Sequence, residues 1–153
     1  GWHKIIIDVN HPVCFHHIEP DVVVDCQDEL LDLAKRKLLT ELYCPIQTNI
    51  PETLIDMNRD PSKTLEFYNI LIPKFIKLGV VVSTGMMIDY KEFPNPSYEE
   101  IRKTFNGEIS WSVYWDGKWD EQRAKAKLNH YLKYDIDSIF RDSIIKTLGS
   151  DLL

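Results

Sequence analysis

Asp8, His11, Cys14, His16, His17, Glu19 and Asp21 fall within about a dozen residues near the start of the chain, and four of its 5 histidines precede Ile18. Imidazoles and carboxylates together suit Zn²⁺, Mn²⁺ or Fe²⁺, and water on such an ion becomes a nucleophile near neutral pH. Asp8, His11 and one of His16 or His17 would then be ligands. The other histidine, or Asp21, would take a proton or orient a ligand. The activity implied is that of a metal-dependent hydrolase, of the phosphoester type. Spacing argues against it. His16 and His17 point apart if their segment is extended, and neither His-x-His nor His-Glu-x-x-His is present. The identity of any cofactor stays open.

Other arrangements of the same residues are weaker. A zinc set of Cys14, His16, Cys26 and Cys44 lacks the paired spacing of a zinc knuckle. His17-x-Glu19 has the H-x-E of zinc deaminases but no P-C-x-x-C to complete a site. Cys14 beside a histidine has the chemistry of a nucleophile, but a buried inert thiol explains a lone cysteine as well. Ser83-Thr84-Gly85 offers hydroxyls and a supple backbone, without the lysine of a phosphate-binding loop.

Trp111, Tyr114, Trp115 and Trp119 crowd beside the Asp116-Gly117 turn signal. Trp and Tyr are the usual anchors of protein interfaces. Tyr114, Trp115 and Trp119 are therefore the candidate partner-binding residues, with a core role for Trp111 and Trp115 as the competing reading. Arg123, Lys125, Lys127, His130 and Lys133 alternate with Ala124, Ala126 and Leu128, the pattern of a solvated helix face.

The 153 residues suit one domain spanning 1–153, with 44% apolar and 27% charged residues, as in ordinary globular proteins. A net charge of -6 argues against nucleic acid or an anionic membrane surface and is compatible with a basic protein partner. Three cysteines in no knuckle spacing point to a reducing cytoplasm. No apolar run approaches the ~18 residues that span a bilayer. The chain opens on Gly1 without an initiator methionine or signal-peptide pattern, as if trimmed, so a targeting segment could have been lost.

The elements that must position these residues follow from periodicity. Residues 4–9 and 21–26, rich in Ile and Val, read as buried strands flanking the histidine loop. Gln27 to Tyr43 reads as one amphipathic helix, with Leu31, Ala34, Leu38 and Leu42 on a stripe. Short and long helices are expected from Pro51 and from Asp60-Pro61, the second kinked at Pro73 and stopped by Gly79. Val80–Thr84 is a strand that Met86–Tyr90 continues or pairs with. Ser97-x-x-Glu100 is a capping box opening a helix. Residues 108–115 alternate as a half-buried strand, and helices from Asp120 and from Asp135 or Asp137 follow.

The pattern predicts a single α/β domain with a mixed, mostly parallel sheet flanked by helices; segregated α+β is the alternative. For function it favours a small acidic protein that binds another protein, of inhibitor or immunity type, with the metal-dependent hydrolase as the alternative. Whether it is an enzyme is left open.

Overall fold

Parallel strands cannot be joined by tight turns, so each neighbouring pair needs a crossover. The computed structural model, which describes residues 1–114, contains three. Strand β1 (Val13–Phe15) leads through helices α2 (Pro20–Asp25) and α3 (Gln27–Lys35) to β2 (Leu39–Tyr43). Helices α4 (Pro51–Asp56) and α5 (Pro61–Glu66), a π-helical turn (Phe67–Leu71) and α6 (Ile72–Lys77) lead to β3 (Val81–Ile88). Helix α7 (Tyr98–Thr104) leads to β4 (Ile109–Val113). The four strands lie in the order β1-β2-β3-β4, every pair parallel. This is an α/β fold, and the described part of its sheet is wholly parallel where a mixed one was expected. A short helix α1 (Trp2–Ile7) precedes it and packs on α3.

Register decides which residues share a face. Cys14 pairs with Glu41 and Glu41 with Val81, while Phe15, Leu42 and Val82 form the next row. Alternation along each strand puts Leu42 and Val82 under the helices. There they join Leu30, Leu33, Phe67, Leu71, Ile72 and Phe75 in one hydrophobic cluster. Burying each large side chain contributes about 1.5–3 kcal/mol. Cys14, Glu41, Tyr43 and Ser83 belong to the opposite face.

Local signals explain most boundaries. The Asp60 side chain accepts the backbone N–H of Lys63 at 3.1 Å, and Ser97 accepts that of Glu100 at 3.4 Å. Near Pro73, which has no N–H to give, the helix widens into the π turn, where the Ile72 N–H reaches back to the Phe67 carbonyl. Gly79, at φ 89°, ends α6 as expected.

Three expectations fail, each for a physical reason. Residues 4–7 belong to α1 and Asp8 caps it, because a short apolar run fits a helix as well as a strand; Ile6 is buried while Ile5 is exposed. Residues 21–26 fall largely in α2, where Pro20 at the first position and Asp21 in the first turn outweigh three valines. The helix expected to reach Tyr43 stops at Lys35. Lys37 takes φ 61°, and the Leu38 N–H closes on the Leu33 carbonyl at 2.9 Å, a Schellman ending made without glycine. β1 lies inside what reads as a loop. The turn at Asp116-Gly117 and the helices expected beyond it lie outside the described residues. Among those described, no helix is long and apolar enough to cross a membrane.

Gly107 shows how closely the β3–β4 connection is packed. Its N–H donates to the Val82 carbonyl at 3.0 Å, and an added Cβ would sit 2.9 Å from that oxygen and from Val81 Cγ1. Gly107→Ala is expected to lower stability by about 1–3 kcal/mol. A urea midpoint equal to the parent's would refute this packing.

Candidate functional site

All four strands run the same way, so their C-terminal ends open on one rim, where ligands of open α/β sheets bind. The rim is built from the segments that follow each strand: 16–19, 44–50, 89–97 and Tyr114. Left-handed backbone at non-glycine residues marks three of these turns, at His17 (φ 56°), Gln47 (φ 67°), Asp89 (φ 54°) and Lys91 (φ 49°). Backbone bonds fix the rim to the sheet. The Ile18 N–H donates to the Tyr43 carbonyl at 3.2 Å, the Gln47 N–H to Gly85 at 2.9 Å, and the Met87 N–H to Gln47 at 2.7 Å.

Between the segment after β1 and the α4–α5 turn lies a cleft of about 300 Å³, lined by Glu19, Asp21, Asn58, Arg59, Asp60 and Thr64 among others. Arg59 is its cation, and it is already engaged, donating to Glu19 at 2.6 Å and to the Pro45 carbonyl at 3.3 Å. Asp21 and Asp60 therefore leave the cleft acidic. Lys63, beside it, has its pKa raised, first by its bond to Asp25 and further by the charges of Asp21 and Asp60. Burial, reinforced by Glu19, pushes the Cys44 thiol well up. The Cys26 thiol is raised by burial and by Glu29 and Asp25. Neither is a ready nucleophile.

Beyond the far wall of the cleft, α4 ends at Asp56, which accepts from the Tyr90 hydroxyl at 2.9 Å and from Lys91. Tyr114, half-buried at the end of β4, meets Tyr90 edge-on with ring centroids 4.6 Å apart, and Phe93 lies 6.0 Å from Tyr90. Acidic cleft, Asp56–Lys91 pair and aromatic group thus form one strip along the rim. Trp115 and Trp119 lie outside the described residues.

The histidine loop is spread out. Asp8 caps the end of α1 and is exposed, as is His11. His3, on α1, bonds Glu29 at 2.6 Å. His17 packs its ring on Tyr43 at 4.9 Å. Of the four candidate ligands Asp8, His11, His16 and His17, only His16 joins a cluster of three donors. Its neighbours are Cys14 and Glu41, all donor atoms lying within 4.8 Å of one another. Glu41 was hidden from sequence reasoning because its segment read as helix. In the sequence Asp60 reads only as the start of a helix, and Arg59 carries no signal of its own.

Compared with models of known protein families and with characterised proteins, the chain matches none of them.

The Asp56 clamp has a pH signature. Bonds from Lys91 and then Tyr90 hold the Asp56 carboxyl below its usual value. Its contribution is complete above the ordinary carboxylate range and is lost as pH falls through the lowered value. Amide protection of residues 89–95, corrected for the intrinsic exchange rate at each pH, should fall in that acid window, and Asp56→Asn should remove this pH dependence while lowering protection at neutral pH. An unchanged acid profile in the variant would contradict the clamp.

Proposed function

We propose that this protein is a small acidic binding module whose rim receives a basic protein partner, in the manner of an inhibitor or immunity protein. The observation that carries this reading is the acidic cleft beside the Tyr90–Tyr114 aromatic group. The cleft has room for a lysine or arginine side chain, Arg59 is committed to Glu19, and an aromatic anchor stands further along the rim. The overall charge of -6 adds long-range attraction for such a partner. Three free thiols fit a reducing cytoplasm as the setting.

A lysine- and arginine-rich peptide, titrated by calorimetry, tests the cleft. Asp21 is suited to charge reversal because, among the described residues, its side chain bonds only the adjacent Val22 N–H, at 2.9 Å. Asp21→Lys should weaken binding about tenfold and flatten its salt dependence, since one reversed charge is worth on the order of 1.4 kcal/mol here. Tyr114→Ala should weaken it further. Affinities that ignore both changes would overturn the reading.

The hydrolase alternative, on Asp8, His11, His16 and His17, retains one supporting observation, the placing of His16 among donors. Bis(p-nitrophenyl) phosphate with added Zn²⁺ or Mn²⁺ separates the two. Turnover at the level of buffer is expected of a binding module. Turnover abolished by His11→Ala would put the hydrolase in its place.

A further inference from the structure

We infer that Cys14, His16 and Glu41 form a binding site for a borderline divalent metal ion, Zn²⁺ first, that ties strand β1 to β2. The inference is independent of the partner reading, for it concerns the sheet face that carries Cys14 and Glu41 and not the cleft.

Cys14 and Glu41 are cross-strand partners in the β1–β2 ladder, so their side chains stand side by side on that face. His16 directly follows the strand. The thiol sulfur, an imidazole nitrogen and a carboxylate oxygen come within 4.8 Å of one another. Tetrahedral zinc with bonds of ~2.0–2.3 Å needs donors roughly 3.5 Å apart, which small side-chain rotations supply. Two of the three are paired positions of one ladder, and the third is the first residue after β1.

The environment of the trio asks for a cation. Glu41 is half-buried, yet among the described residues no lysine, arginine or hydrogen-bond donor meets its carboxylate. His16 likewise has no hydrogen-bond or ion-pair partner among them. A partly buried carboxylate without a partner is costly, and a metal ion would neutralise it. Cys14 Sγ lies 3.3 Å from Thr40 Oγ1, whose hydroxyl donates to the Val13 carbonyl at 3.1 Å. When the metal binds, Cys14 releases its proton to solvent, and the Thr40 hydroxyl can turn to donate to the thiolate. That second layer is what metal-bound groups ordinarily have.

The mix of one sulfur, one nitrogen and one oxygen selects Zn²⁺ or Co²⁺ over Mg²⁺ and Ca²⁺, which prefer oxygen alone. Cys14 and His16 are exposed, so the ion enters freely and water takes the fourth position. There is a mechanical consequence as well. β1 is only three residues long, and its register shifts between Val13 and Cys14. A metal bridge to Glu41 would hold this weakest strand in place.

Co²⁺ titration of the purified protein, followed by absorption, tests the site through the metal alone. One equivalent is expected, with a sulfur-to-cobalt charge-transfer band and the intense visible bands of four-coordination. Cys14→Ser should abolish the charge-transfer band, and His16→Gln and Glu41→Gln should each weaken binding at least about tenfold. Asp8→Asn and His11→Gln should change neither. Zn²⁺ should raise the melting temperature of the parent and not that of Cys14→Ser, as binding to the folded state requires. The variants replace exposed or half-exposed side chains, and far-ultraviolet circular dichroism verifies their fold. Binding without a sulfur band, binding lost on changing His11, or no binding at all would overturn the inference.

Discussion

Everything on the candidate rim depends on the strands being parallel. In an antiparallel sheet, successive strand ends alternate between two edges, and a cluster of loops draws on every second connection. Here each crossover returns the chain to the same starting edge. The segments after β1, β2, β3 and β4 therefore emerge together, although they are separated by dozens of residues in sequence. The acidic cleft combines the first of these segments with the α4–α5 turn. The aromatic group combines the third with the fourth. Neither exists without the crossovers, and the crossovers persist because their helices bury Leu30, Leu33, Phe67 and Phe75 against β2 and β3.

That dependence makes the interior strands stiff and the outer one vulnerable. β2 is bonded on both sides, by β1 and β3, and its Leu42 is fully buried. Among the described residues, β1 has a partner on one side only. It is held by a short irregular ladder, by the edge-on contact of Phe15 with Trp2 on α1, and by the Ile18 N–H bond to Tyr43. The histidine loop is thus an anchored edge. Its two adjacent histidines do not share one site, although the left-handed turn at His17 is not the extended backbone for which that separation is expected. With φ at 56° the segment is not extended, and the rings separate onto different neighbours, His16 towards Cys14 and Glu41, His17 onto Tyr43.

Legibility in the sequence followed the chemistry of the signals. Asp60-Pro61, Ser97-x-x-Glu100, Pro73 and Gly79 each carry a specific backbone consequence, and each was readable. The α/β class was readable too, from the alternation of element types. The N-terminal third was not, because runs such as Ile5-Ile6-Ile7 and Val22-Val23-Val24 carry hydrophobicity without period. Tertiary burial decides their form, and no single-sequence rule supplies it. The break at Lys37 was hidden for the opposite reason: Leu31, Ala34, Leu38 and Leu42 keep helical spacing across a turn made by a lysine where glycine is usual. Once Leu39–Tyr43 was taken as helix, Glu41 could not be seen opposite Cys14. The error in one boundary removed a residue from the candidate site.

The connection between β1 and α2 brings the two surfaces within four residues of each other. His16 stands with Cys14 and Glu41 on one face of the sheet, and Glu19 lines the cleft on the rim. Ile18 lies between them, fully buried, with its N–H fixed to the end of β2. A buried, hydrogen-bonded residue transmits displacement poorly, because moving it opens a void and breaks a backbone bond, at a cost of several kcal/mol. Ile18 therefore acts as a fulcrum that separates the two surfaces. The geometry of Glu19 is set on its own side by Arg59, which also donates to the Pro45 carbonyl. The histidine loop, which in sequence looks like one site, is in space the shared boundary of two.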